Sequence, residues 1–352
     1  MTILYILLAS LLLGILIAVH EWGHFIASRL TGIAVKEFSI GFGPKLVQWK
    51  SKKHDTLFTL RPIPMGGYCM FYGDTDDDPD GTKMKDDPRN YNNAAVWKRM
   101  ISVVAGPLMN LALAFVVAVA LMAGYGYTVA QPSIASLESG MPAEAAGVQP
   151  GDVITAVNGV DIGVGELQKA SELLAGNGSP VTLTVRRGGE ARDITLTPAY
   201  DEAEQRWRIG VMMQAYAPMA VSQYIPAAWD ACVYASTAIL DALGKLVTTG
   251  EGLDQTAGPI GTVQLVAQQT QQGGLEIFLN LMVMISINLG LVNLLPIPGL
   301  DGSRLVFMLL EAIRRKPVSQ KIEAAVHMCG YVLLLGLMVF FTFKDVGRII
   351  GG

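Results

Sequence analysis

Four runs of apolar residues punctuate the chain, at about residues 2–27, 99–124, 275–299 and 326–343. Each approaches the roughly 20 residues that a bilayer-spanning helix needs. The first carries no charge from Ile3 to Val19. A fifth stretch, 218–248, sets Asp230, Asp241 and Lys245 among apolar residues at helical spacing. This pattern predicts an amphipathic helix lying on a surface or against a bundle. Between the first two spans, residues 35–72 alternate apolar and polar, with turn signals at Gly41–Pro44 and Pro64–Tyr68; they read as β-hairpin structure near the membrane. Residues 73–93 are acidic and bear Pro and Gly, as a mobile solvated loop does. Their Asp cluster lacks the spacing and terminal Glu of a calcium loop. Residues 127–215 have the pattern of a soluble domain. Thr182–Pro198 forms a hairpin about Gly188–Gly189, and Met141–Ile162 a short helix, a turn and a strand.

The expected organisation has four parts. Residues 1–126 hold two spans and the hairpin loop, 127–215 the inserted domain, 216–274 an amphipathic helix and connector, and 275–352 the last two spans. The fold class is therefore a multi-span α-helical membrane protein with four transmembrane helices, a membrane-associated β-hairpin region and an inserted α+β domain.

Composition agrees with this reading. The chain is 51% hydrophobic and 16% charged, against about a quarter charged in soluble domains. A net charge of −4 gives no electrostatic footprint for nucleic acid. Cys69, Cys232 and Cys329 form no CxxC pair, so neither a disulfide framework nor a thiolate metal site is expected. The first apolar run has no Lys or Arg before it, and its helical pattern continues to about Leu30, longer than a signal-peptide core; a retained span is expected. Lys and Arg crowd into 28–99 and 311–325 and are sparse in 125–274. The positive-inside rule then puts the first two segments in the cytoplasm and the N-terminus, the inserted domain and the C-terminus outside.

Against this frame one motif carries chemistry. Residues 20–24 read HEWGH at the end of the first span. His20 and His24, four apart on a helix, share a face and can hold one Zn²⁺, with Glu21 beside them as a general base. From Ile3 to His20 a helix rises roughly 26 Å of the roughly 30 Å hydrocarbon core, so the histidines lie near the cytoplasmic boundary. A catalytic zinc takes three protein ligands and keeps one position open. His54 and His327 have no motif around them. Asp301 is the better third candidate, because it ends NLLPIPGLDG (Asn293–Gly302), whose prolines and glycines cannot continue a helix. Irregular backbone at membrane depth is tolerated only where it is buried in protein or lines a cavity.

HEWGH and NLLPIPGLDG together resemble the site-2 protease family of intramembrane zinc metalloproteases. GPLMN (Gly106–Asn110), GFGP, RPIPMGGY, PAEAAGVQPGDVI and AGPIGTVQL (Ala257–Leu265) extend the resemblance over nearly the whole chain, toward the bacterial regulator-of-sigma-E protease type with a single PDZ domain. Trp22 stands where the family often has Phe, at a position that is not a ligand; some relatives have two PDZ domains, whereas 127–215 has room for one. The resemblance implies that His20, His24 and Asp301 bind Zn²⁺ and that Glu21 takes the proton of the attacking water. It also implies a multi-pass protein of the bacterial cytoplasmic membrane acting on single-span membrane proteins, such as anti-sigma factors or remnant signal peptides. Asn293 and the strand region at Gly66, Gly67 and Tyr68 are the expected substrate-binding positions. The inserted domain is expected to be PDZ-like, receiving peptide C-termini or filtering substrates by size. A non-catalytic membrane adaptor and a zinc transporter are the alternatives. Glu21 argues against the first, and the lack of repeated polar spans against the second.

Overall fold

The computed structural model describes residues 3–51, 56–73, 86–125, 128–129, 132–163, 166–175, 177–202, 204–214, 217–252 and 257–351. His54 and residues 74–85 of the acidic stretch lie outside them. In chain order the elements are α1 (Ile3–Thr31), β1 (Val35–Phe42), β2 (Val47–Lys50), β3 (Leu57–Leu60), β4 (Ile63–Phe71), α2 (Val96–Tyr125), β5 (Thr128–Val129), β6 (Ser133–Leu137), α3 (Pro142–Ala145), β7 (Val153–Val157) and β8 (Val160–Asp161). There follow α4 (Leu167–Leu174), β9 (Val181–Arg187), β10 (Glu190–Leu196), β11 (Ala199–Asp201), β12 (Arg206–Arg208), β13 (Val211–Gln214), β14 (Ala217–Pro218), α5 (Tyr224–Thr249), α6 (Pro259–Leu294), α7 (Asp301–Arg314) and α8 (Gln320–Gly351). The chain divides into two compact units, one of residues 1–118 with 228–352, the other of residues 119–227.

Four helices of the described residues are long and apolar enough to cross a membrane: α1, α2, α6 and the Lys321–Arg348 part of α8. A helix satisfies its backbone internally, which hydrocarbon requires. The amphipathic stretch forms α5, which packs Ala235 against Ala114 of α2 and Ile287 of α6 and leaves Ile225, Trp229 and Tyr234 exposed. The third apolar run belongs to a longer helix than its pattern suggested. In α6 the backbone breaks at Gly274 (φ 63°, ψ −150°), so a polar N-terminal arm joins an apolar C-terminal half. Asp345 of α8, 2% exposed, accepts hydrogen bonds from the Gly258 and Gly261 amides at the start of that arm (3.2 and 2.7 Å).

The loop between α1 and α2 carries a four-stranded sheet in the order β2-β3-β1-β4. Two expectations are corrected here. The sheet is not a simple hairpin, because β1 pairs in parallel with β3 and antiparallel with β4. Nor do Pro64–Tyr68 reverse the chain. They lie within β4, where Ile40 pairs with Gly67 but Phe42 with Ile63, so the Pro and Gly residues form an irregularity in the strand.

One face of this sheet rests on the end of α1. The Phe25 ring lies 5.4 Å from Phe38 and 5.6 Å from Phe58, centroid to centroid. On the other face Glu37 accepts from Thr59 (2.9 Å), Tyr68 (2.9 Å) and Arg61 (3.2 Å). Burial alone would raise the Glu37 carboxyl; the hydrogen bonds from Thr59, Tyr68 and Arg61 outweigh it and hold the group below its ordinary value.

In the second unit, β10-β9-β7-β6-β13 form a sheet with β8 paired to β7, flanked by α3 and α4. The β9–β10 hairpin turns at Gly188–Gly189. Its core gathers Ile134, Ile154, Val157, Leu183 and Val185, and the buried Asp152 is held by Arg187 at 2.7 Å.

The depressed Glu37 carboxyl has a pH signature. Its contribution is fully present above about pH 4.5, the value of the free group, and is lost as pH falls through the lower folded value. Thermal melting of detergent-solubilised protein, followed by Trp fluorescence, should show an acid-induced drop that shrinks in Glu37→Gln. An identical drop in both proteins would assign the acid sensitivity elsewhere.

Candidate metal centre

The geometry begins with helical spacing on α1. His20 and His24 face one side, each 7% exposed, with their rings edge to face. The chain leaves the helical state at Leu295 and re-enters it at Asp301, the first residue of α7. That break carries Asp301 to the histidines. His20 Nε2 lies 3.0 Å and His24 Nε2 3.3 Å from Asp301 Oδ2, and the two nitrogens are 3.2 Å apart. Ligands about 2.0–2.1 Å from one ion at tetrahedral angles lie about 3.3 Å from each other. The triangle therefore fits a zinc-sized ion, and among the described residues it is the one cluster of such donors.

The opposite edges of the rings bear on α2. His24 Nδ1 donates to the Ser102 carbonyl at 2.8 Å. A carbonyl only accepts, so the His24 proton sits on Nδ1 and Nε2 presents its lone pair. His20 Nδ1 is 3.2 Å from the side-chain nitrogen of the fully buried Asn110. A Cβ at Gly106 would stand 2.3 Å from His24 Nε2, so only glycine fits there. Gly23 meets the same part of α2: a Cβ there would strike the Ala105 carbonyl at 2.3 Å. The GPLMN segment thus seats both histidines, a role that spacing alone did not reveal. An Asn in an apolar span, beside a Gly and a Pro, was the available signal.

Glu21, one position from His20, faces the sheet instead. Its carboxylate accepts from the backbone of Cys69, and a Cβ on Gly67 would lie 3.4 Å from its Cγ. Together with His20, His24 and Asp301 it lines a cavity of about 340 Å³ whose walls include Tyr68–Phe71 of β4, Asn293, Arg304 and Tyr331. Among the described residues β4 pairs only with β1, so its other edge has no strand partner.

Of the expected substrate-binding residues, Asn293 and Tyr68 line the cavity. Asn293 donates to Leu289 of its own helix at 2.9 Å. The Tyr68 hydroxyl is engaged by Glu37 and Arg61. Gly66 is buried against the Phe42 ring. His327 lies apart from the triangle, beside Ser303, Gly299 and Glu323. None of Cys69, Cys232 and Cys329 is in a disulfide.

The far end of α7 is tied down by other pairs. Arg99 and Glu311 meet at 2.5 Å, both largely buried, and the Tyr91 hydroxyl donates to Met308 Sδ.

Residues 8–337 match the family model described as Peptidase family M50. The chain belongs to peptidase family M50. Its relatives include an Agrobacterium fabrum protein named "putative zinc metalloprotease", 33% identical over 370 residues, 99% of this chain and 97% of that protein. A Nostoc protein of the same description is 34% identical over 358 residues (98% and 96%). Zinc metalloprotease RasP of Shouchella clausii is 30% identical over 413 residues (96% and 97%). The resemblance to site-2 proteases thus holds for this M50 peptidase at the level of the family.

Gly106→Ala should displace His24 and break the triangle. Elemental analysis of the purified protein should then show bound divalent metal falling at least about 10-fold, with helix content by circular dichroism unchanged. Full metal occupancy would contradict the packing described.

Proposed function

We propose that this M50 peptidase is an intramembrane zinc endopeptidase that cuts transmembrane segments of single-span membrane proteins. The observation that carries the reading is the triangle of His20 Nε2, His24 Nε2 and Asp301 Oδ2, with Glu21 beside it in one cavity. His20, His24 and Asp301 would hold Zn²⁺. When bound, the ion supplies a Lewis acid for the scissile carbonyl and acidifies the attacking water. Glu21 takes the proton of that water and delivers it to the leaving amine. Its contact with the Cys69 backbone orients the carboxylate.

A substrate helix hides its peptide groups in its own hydrogen bonds, so it must unwind before it is cut. The unpartnered edge of β4, from Gly67 through Tyr68 toward Phe71, offers backbone groups to an extended peptide on the wall of the same cavity. Gly66 shapes the strand at the start of that edge. Asn293 can exchange its bond to Leu289 for a substrate carbonyl. The six-stranded sheet with its two short helices supports a PDZ-like reading of 127–215, as a receiver of peptide C-termini or a filter. The distribution of Lys and Arg supports an orientation with the N-terminus and PDZ-like domain outside, and the bacterial relatives support a place in a bacterial cytoplasmic membrane.

Glu21→Gln tests the reading with two readouts. Cleavage of a reconstituted single-span substrate should fall by about 10²–10⁴-fold, while zinc per chain stays unchanged. Retained cleavage removes Glu21 from the base role. Loss of zinc makes it a ligand instead.

A further inference from the structure

We propose that Asn110 is the positioning residue that fixes His20 in its metal-binding tautomer, and that it acts through its side-chain oxygen. The inference rests on the metal centre of the preceding reading and goes beyond it to a residue on a different helix.

The argument starts from a contrast between the two rings. To offer a lone pair at the triangle, each imidazole must carry its proton on Nδ1. For His24 the Ser102 carbonyl enforces this, because it can only accept. The partner of His20 Nδ1 is a carboxamide, which can do either. Its nitrogen faces the ring at 3.2 Å, while its oxygen is buried with no partner. A donated N–H would force the proton onto Nε2, pointing it into the triangle, where it would exclude a cation. The two ends of a carboxamide are nearly equal in size, and a half-turn exchanges them. After that turn Oδ1 accepts the Nδ1–H of His20, and Nε2 faces Asp301 Oδ2 and His24 Nε2 with its lone pair free. One end of the amide lacks a partner in either orientation, so the count of unmet hydrogen bonds does not distinguish the two. The tautomer does.

The remaining contacts make Asn110 a fixed rather than an adaptable partner. It is fully buried in α2, and its backbone carbonyl accepts from Ser286 Oγ of α6 at 2.8 Å. Gly290 of α6 packs close against the Pro107 carbonyl, one turn earlier on α2. A polar side chain within an apolar span is costly unless it serves a partner, and the partner here is His20.

Zinc affinity measured by competition with a chromophoric chelator, in detergent and without substrate, tests the proposal. Asn110→Leu keeps the size and removes the acceptor; its affinity should fall about 10–100-fold. Asn110→Asp restores an acceptor and should bind within about 3-fold of the unsubstituted protein, a rescue that a role through the amide N–H would not give. Asn110→Ala serves the same purpose as Leu if the latter does not fold. Unchanged affinity in Asn110→Leu or Asn110→Ala overturns the proposal, as does an equal loss in Asn110→Asp. His20→Ala is the control for the underlying reading. If that variant keeps the zinc of the unsubstituted protein, or if the unsubstituted protein takes up none, the metal centre itself is wrong and the proposal falls with it. Loss of zinc in His20→Ala with no effect at Asn110 refutes the role of Asn110 alone.

Discussion

Three electron-rich atoms held within 3.3 Å of one another in an apolar helix bundle repel unless something positive lies between them. Much of the surrounding architecture follows from that constraint. The rings cannot turn away, because Ser102 and Asn110 engage their outer edges and Gly106 leaves no space beyond the imidazole of His24. Nor is the carboxylate free to leave, because it begins a helix whose far end is tied by Arg99–Glu311 and Tyr91–Met308. A low-dielectric surrounding strengthens both the repulsion of the bare donors and their attraction for a cation. The same scaffold therefore disfavours the bare site and favours a filled one.

How much of this the sequence disclosed depended on distance along the chain. The pairing of His20 with His24 is local, set by one helical turn, and HEWGH displays it directly. Asp301 was legible because Pro296, Pro298 and Gly299 announce a break in an apolar run, although the 14-residue helix that begins there went unanticipated. Asn110 and Ser102 were not assigned roles, because their bonds cross between helices and no spacing rule connects residue 20 to residue 110. Turn chemistry misled at Pro64–Tyr68. The same residues that reverse a chain also distort a strand, and Gly67 serves close approach to Glu21 instead. The parallel pairing of β1 with β3 was equally hidden, since alternation says which face a residue takes but not which strand lies beside it.

The sheet and the first helix are joined through aromatic packing that starts next to the motif. Phe25 follows His24 directly, and it is the ring on which Phe38 and Phe58 rest. One helix thus presents donors on one side, the general-base candidate toward β4, and, one residue later, a hydrophobic mount for β1 and β3 of the same sheet. The position of the strand edge is tied to the position of the donors through consecutive residues of α1, not through a flexible loop.

The irregularity of β4 limits how much of its edge a peptide could follow. Regular pairing with β1 is confined to the Gly67–Met70 portion, between two register shifts. A four-residue stretch measures roughly 6 Å as a helix and roughly 13 Å as a strand. A membrane helix converted over that length must find about 7 Å of slack. A segment anchored firmly on both sides of a bilayer has none to give, whereas one with a free or shortened end does. The shape of one strand in the enzyme would thereby select for how its partner is tethered, independently of the partner's sequence.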